Sequence, residues 1–178
     1  MAGEIESLTE RALTYTVGHD VAGLVGRQLA PKRRVVASSA VAQTTTGGTT
    51  EVGLATVTLP VLGPNDRIEI TTHWTLTNNA NAKTLRLRLG GASGTPFFGF
   101  NAASMASLID RLHYIQNRGA TNSQVGAPLS QTNPNGSNAA SIGTVDTSVA
   151  QDLVISAQLG VGTDTVTLES YIVELVTP

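Results

Sequence analysis

Cysteine is absent from the 178 residues. Disulfides, thiol nucleophiles and Cys-based zinc sites are thereby excluded. Charge is scarce as well. Asp, Glu, Lys and Arg make up 13% of the chain, about half of the roughly 25% usual in globular domains. With 11 Lys plus Arg against 13 Asp plus Glu, the net charge is −2. The dense cations that nucleic-acid binding needs are missing, so no nucleic-acid partner is expected. No run of about 18 apolar residues occurs, so no transmembrane helix and no membrane partner are expected. The start Met1-Ala2-Gly3-Glu4-Ile5-Glu6 is acidic and has no apolar h-region, so no secretory signal is expected. Aromatics are only 4%.

What remains is a polar surface built from Thr, Ser, Asn, Gln and Gly, around a 40% hydrophobic complement. That is enough for one domain with a proper core. Such a surface fits a subunit that meets other subunits more than water. It fits equally the ordinary Thr-rich, Lys-poor chemistry of a β-sandwich.

The chain divides near Pro31. In segment 1–34, Ile5, Leu8, Ala12 and Tyr15 recur at helical spacing, as do Val17, Val21, Leu24, Val25 and Leu29. Gly18, Gly23 and Gly26 interrupt the second set, each costing a helix about 1 kcal/mol. This segment is too short to close a core and reads as an N-terminal arm or anchor. It ends in a basic knot, Lys32-Arg33-Arg34, with Arg27 nearby. Residues 35–178 then read as the main domain.

In that domain the period changes to two. Residues 35–43 read as extended chain. In the strand 51–59, alternation groups Val52, Leu54, Thr56 and Thr58 on one face, and Ala55, Val57 and Leu59 on the other. The clearest strand is 67–77, with Ile68, Ile70, Thr72, Trp74 and Leu76 inward and Arg67, Glu69, Thr71, His73 and Thr75 outward. A turn at Asn78-Asn79-Ala80-Asn81 leads to 83–89, with Leu85, Leu87 and Leu89 inward, and the two strands read as a hairpin. A short aromatic strand, 96–101, holds all three Phe. Residues 105–116 fit helix or strand, and strand is favoured for 108–117. Residues 118–146 read as one long loop, of the kind that usually carries function or an interface. Strands 152–159 and 165–175 close the chain around Gly160-Val161-Gly162, read as a tight hairpin turn using glycine's positive φ. Seven or eight short strands with frequent turn signals predict an all-β, jelly-roll-like antiparallel β-sandwich with an N-terminal arm.

The sequence carries no catalytic signature. No Gly-x-Ser-x-Gly elbow exists. His19, His73 and His113 lie on separate elements without metal-ligand spacing, and His73 and His113 read as surface or interface histidines. Gly160-Val161-Gly162 is followed by no helix that could aim at a phosphate. Glu69, Glu169 and Glu174 sit on polar faces with no evident pairing, so the facing carboxylates of a glycosidase are not apparent. Catalysis, a cofactor and a bound metal are not expected. The candidate contact residues are Arg27, Lys32, Arg33 and Arg34 of the basic knot, and Phe97. If Phe98 and Phe100 face the core, Phe97 faces outward and could seal a subunit contact. Packing of all three Phe in the core is the other reading.

A string of local signatures is familiar. It runs Gly53-Leu54-Ala55-Thr56-Val57-Thr58-Leu59-Pro60, then Trp74-Thr75-Leu76-Thr77-Asn78-Asn79-Ala80-Asn81-Ala82-Lys83-Thr84 and Arg86-Leu87-Arg88-Leu89-Gly90-Gly91. Asn117-Arg118-Gly119-Ala120-Thr121-Asn122-Ser123-Gln124 and Leu168-Glu169-Ser170-Tyr171 complete it. On these residues the stretch from about Glu51 to Leu175 resembles a family of virion structural proteins of tailed bacteriophages: jelly-roll capsid decoration proteins, head fibres and tail fibres. The resemblance implies a homotrimer without catalytic activity, assembled in the host cytoplasm into the virion. The first expectation is a decoration or cement protein that binds the major capsid protein, or another virion protein, and stabilises the shell, with 1–34 as its anchor. The second is a head- or tail-fibre module whose Asn-, Thr- and Gly-rich loops around 118–146 recognise host surface glycan.

Overall fold

The computed structural model describes residues 32–128 and 139–178. The described residues form eleven strands: β1 (Lys32–Ser39), β2 (Gln43–Thr45), β3 (Val52–Leu59), β4 (Arg67–Leu76), β5 (Lys83–Leu89), β6 (Thr95–Asn101), β7 (Ser107–Asn117), β8 (Gln124–Pro128), β9 (Ala140–Gly143), β10 (Gln151–Leu159) and β11 (Val166–Thr177). The basic residues Lys32–Arg34 open strand β1. Arg27 and the rest of segment 1–31 lie outside the described residues. Segment 105–116 is resolved in favour of a strand, β7, whose pairing with β4 and β8 decides the matter over local propensity.

Two sheets face one another. The larger runs β1-β11-β4-β7-β8-β9, with β2 also paired to β11; the smaller runs β3-β10-β5-β6. Where pairing registers are resolved they are antiparallel. Taking β1 and β2 as one interrupted strand and setting aside the β8–β9 pair leaves eight main strands. The larger sheet orders them first, eighth, third, sixth, and the smaller second, seventh, fourth, fifth. This is the winding of two Greek keys into a jelly roll. The core is the inner face of both sheets, including Ile68, Ile70 and Trp74 of β4, Leu85, Leu87 and Leu89 of β5, and Leu153 and Ile155 of β10.

Three readings of the sequence are corrected here. First, β4 and β5 do not form a hairpin: they belong to opposite sheets, and the Asn-rich segment between them crosses the sandwich. Second, β10 and β11 are likewise in opposite sheets. Gly160 and Gly162 do not have positive φ; they permit close backbone passage. A Cβ on Gly160 would stand 2.9 Å from the Ala82 carbonyl oxygen, and one on Gly162 3.3 Å from the Gly48 nitrogen. Third, segment 118–146 is not one loop. Its β8 and β9 extend the larger sheet beyond β7, starting from a turn in which Gly119 holds φ of 75°.

Bulges account for two residues that alternation put on the wrong face. Pairing of β3 with β10 skips Leu54, between Ile155↔Ala55 and Ser156↔Gly53. The extra residue turns Leu54 inward beside Val57 and Leu59. Pairing of β5 with β6 likewise skips Phe97, between Leu87↔Phe98 and Arg88↔Pro96. Phe97 and Phe98 therefore both point inward, and Phe97, at 1% exposure, is among the most deeply buried side chains. Its ring lies against the backbones of β8 and β9. A Cβ at Gly126 would stand 3.0 Å from its Cδ1, and one at Gly143 2.4 Å from its Cζ.

Two buried polar knots pin the ends of the sandwich. At one, the Gln124 amide donates to Asn117 Oδ1, and to the carbonyls of Thr121 and Val145 at 3.0 and 2.9 Å, while it accepts from the Val145 N–H. Asn117 in turn donates to the Gly63 carbonyl and to Thr147 Oγ1. At the other end, fully buried Lys83 lies with Asn79, Asn81 and Asp164. Hydrogen bonds from Asn79 and Asn81, with Lys83 nearby, hold the Asp164 carboxyl below its ordinary range despite burial.

Candidate functional site

The two outer faces differ in chemistry. On the smaller sheet the outward side chains satisfy one another. Glu51, just before β3, accepts from Arg88 Nε at 2.7 Å, from Arg86 at 2.8 Å and from Ser156 Oγ at 2.6 Å. Arg86 also donates to Gln158, whose amide donates to the Thr49 carbonyl. The Arg88 hydrogen bond is the main cause that lowers the Glu51 carboxyl from 4.5 to about 2, against the opposing effect of burial.

On the larger sheet the outward positions carry exposed apolar side chains. Register sets them in rows. Ile172 of β11 pairs with Thr71 of β4, which pairs with Leu112 of β7. One step along, Glu174 pairs with Glu69, which pairs with Tyr114. A third row runs Arg67, Gln116, Val125 and Ile142 across β4, β7, β8 and β9. Leu112 is 61% exposed and Ile142 62%, with Ile172 and Tyr114 also exposed. An antiparallel sheet facing water normally presents Thr, Lys and Glu at such positions. Apolar side chains gathered on one face are the usual mark of a contact surface.

The charges within this face are paired across strands. Arg33 of β1 donates to Glu69 at 2.6 Å and to Glu174 at 2.9 Å, and Arg67 also pairs with Glu69. The hydrogen bond to Glu69, then that to Glu174, raises the Arg33 guanidinium above its ordinary value. Glu69 is buried under the two arginines. Glu169 accepts a hydrogen bond from Thr75. The three strand acids read as lacking evident partners are therefore engaged. No facing pair of free carboxylates is formed by them.

Of the predicted contact residues, Lys32, Arg33 and Arg34 lie on exposed strand β1, at the margin of this face. Arg33 is committed to the two glutamates. Phe97 is not at the surface at all: the β5–β6 bulge carries it inside, which removes it as a contact residue. His113 is corrected too. It is buried, with its ring 3.7 Å from that of Phe98 at a tilt of 37°. Among the described residues, no three His, Asp or Glu side chains gather as a metal-binding group. Sequence reasoning missed Leu112, Tyr114, Ile142 and Ile172 as a surface. The signal was present in the outward phase of β7 and β11, but it required the strand pairing to bring those residues together.

No protein-family model matches the chain, and no curated protein matches it in sequence. Among solved structures, it is similar to the CBM2 module of the evolved Dit of Lactobacillus casei BL23 phage J-1. That match has 9% identity over 84% of this chain and 99% of the other, at a TM-score of 0.45. It is also similar to the structure of the infectious bursal disease virus Gx strain, at 10% identity over 84% of this chain and 41% of the other, with a TM-score of 0.29. The infectious bursal disease virus VP2 subviral particle gives 10% identity, the same coverages and a TM-score of 0.28. This chain spans about two fifths of the length of those two viral chains.

Proposed function

We propose that this chain is a structural protein of a tailed-phage virion, a homotrimeric decoration or cement protein that attaches to the major capsid protein and stabilises the shell. The observation that carries the reading is the outer face of the larger sheet, where Leu112, Tyr114, Ile142 and Ile172 stand exposed. The sequence resemblance over residues 51–175 points to the same class. A closed ring of identical subunits repeats one head-to-tail contact at every interface, so each apolar side chain at that contact counts once per copy. The chain works by adhesion, without catalysis, cofactor, nucleic acid or membrane.

The reading as a glycan-binding fibre module is less well supported. One amide of its loop region, Gln124, is buried and occupied by internal hydrogen bonds to Asn117, Thr121 and Val145. Its burial keeps it from reaching sugar hydroxyls at the surface.

Light scattering on the full chain tests the proposal. The expected mass is that of three copies. The double variant Leu112→Lys, Ile172→Asp should be monomeric with unchanged circular dichroism. A parent that stays monomeric at all concentrations, or a double variant that still trimerises, would overturn the assembly reading. In purified virions a decoration protein should occur in hundreds of copies; a few dozen would favour a fibre.

A further inference from the structure

Where β4 crosses to β5, the second polar knot holds a complete set of groups for amide exchange. Lys83 is 0% exposed, and its Nζ stands 2.6 Å from Asn79 Oδ1. The Asn79 amide nitrogen donates to Asp164 Oδ1 at 2.7 Å. The other carboxylate oxygen, Oδ2, lies 3.5 Å from Lys83 Nζ and accepts from the Asn81 amide at 3.0 Å. The Asn81 backbone N–H donates to Asn79 Oδ1 at 3.1 Å. One carboxylate thus touches a buried amine nitrogen through one oxygen and a side-chain amide nitrogen through the other.

From this geometry we infer that Lys83 and Asn79 join in an intramolecular isopeptide bond, with Asp164 as the proton shuttle. Each role has its atom. Lys83 Nζ is the nucleophile and Asn79 Cγ the electrophile. The Asn81 N–H stands where negative charge develops on Oδ1, as a fixed donor requiring no reorganisation. Holding the reacting groups in contact converts a bimolecular reaction, very slow in water, into an intramolecular one.

The step balances without an oxidant or any other reactant. The Lys83 ammonium passes a proton to Asp164, which cancels two charges in a site closed to water. The amine lone pair attacks Asn79 Cγ, the Nζ–Cγ bond forms, and the carbonyl electrons move onto Oδ1. Asp164 returns its proton to Asn79 Nδ2 as the tetrahedral centre collapses and the Cγ–Nδ2 bond breaks. The second amine proton passes through Asp164 to the departing ammonia. Lysine ammonium and asparagine amide become a secondary amide and an ammonium ion, and Asp164 ends as the carboxylate it began. The bond closes the 79–83 crossover into a ring.

Intact mass spectrometry of the purified full chain tests this. The expected mass is one ammonia below that of the sequence, and trypsin should fail to cut after Lys83, releasing residues 68–86 as one ammonia-deficient peptide. Lys83→Met should restore the full mass expected for its sequence. So should Asp164→Asn, which keeps the shape but turns one of the two accepting oxygens into an amide donor, and whose fold is checked by circular dichroism. A parent of full mass would overturn the proposal, since it would mean that Lys83 is an ammonium held by Asn79 Oδ1, the Asn81 carbonyl and Asp164. So would a deficit that survives in Lys83→Met or is cleared by hydroxylamine, the mark of a succinimide elsewhere. A bond that still forms in Asp164→Asn would overturn the shuttle.

Discussion

Truncating Phe97 to alanine removes a side chain 1% exposed that lies against the backbones of β8 and β9. Loss of a buried Phe costs about 3–5 kcal/mol, because the cavity only partly collapses. An outward Phe at a monomer's surface would cost no more than about 0.5 kcal/mol. The two placements are therefore well separated by experiment. The reverse perturbation, Gly143→Ala, puts a methyl carbon 2.4 Å from Phe97 Cζ and 3.2 Å from Thr95 Cγ2. Overpacking of that kind costs about 1–3 kcal/mol. The reduced freedom of the unfolded chain returns about 0.4–1 kcal/mol, so a net loss of about 1–2 kcal/mol is expected. In the double variant the new methyl meets the space left by the ring, and the losses should fall short of additivity by about 1–2 kcal/mol. Urea unfolding at fixed protein concentration, followed by the fluorescence of the single, buried Trp74, measures all three. A Phe97→Ala variant within 0.5 kcal/mol of the parent, or strict additivity of the pair, would refute the packing argument.

Glu51→Gln tests the salt-bridge cluster on the smaller sheet. Its carboxyl is lowered to about 2, so its contribution is fully present above the unfolded value near 4.5 and is lost as pH falls through about 2. Allowing for solvent screening of a partly exposed cluster, parent and variant should differ by about 1 kcal/mol at pH 6 and converge near pH 2 in pH-dependent urea melts; a constant gap would contradict this. Gln124→Ala leaves the Val145 N–H and several acceptors without partners, and should cost about 3 kcal/mol; a melt shifted by less than 1 kcal/mol would show the knot to be dispensable. Arg33→Met should speed hydrogen exchange in Val35–Ser39 roughly tenfold while leaving β10 unchanged; equal protection would mean that the ion pairs do not hold β1. Gly160→Ala, whose Cβ would press on the Ala82 carbonyl, should lose about 1–3 kcal/mol of stability in a thermal melt; a neutral result would mean that the crossing can widen freely.

Period-two alternation made the inner faces of β4 and β5 legible, because Ile68, Ile70, Trp74, Leu85, Leu87 and Leu89 all needed the same core. Partners were less legible. A crossing between sheets and a hairpin can use the same Asn- and Gly-rich residues, so neither 78–81 nor 160–162 declared which it was. Bulges were invisible, since nothing in Leu54 or Phe97 announces an extra residue in the ladder. β8 and β9 escaped notice because Gly126 and Gly143, which read as loop residues, are there to admit the Phe97 ring. Lys83 looked like the charged start of a strand; its burial depends on Asp164, eighty-one positions away. The apolar outer face was hidden for a similar reason: Leu112 and Ile172 share a row only through Thr71.

The interior position of β11, between β1 and β4, has a consequence for folding. Until β11 has formed, β1 and β4 have a gap between them where it belongs, and their facing backbone groups have only water for partners. Most of the sandwich's pairings join residues far apart in the chain, so local structure offers few footholds along the way. The larger sheet therefore closes only when β11, which follows all the other strands in the chain, takes its place between β1 and β4.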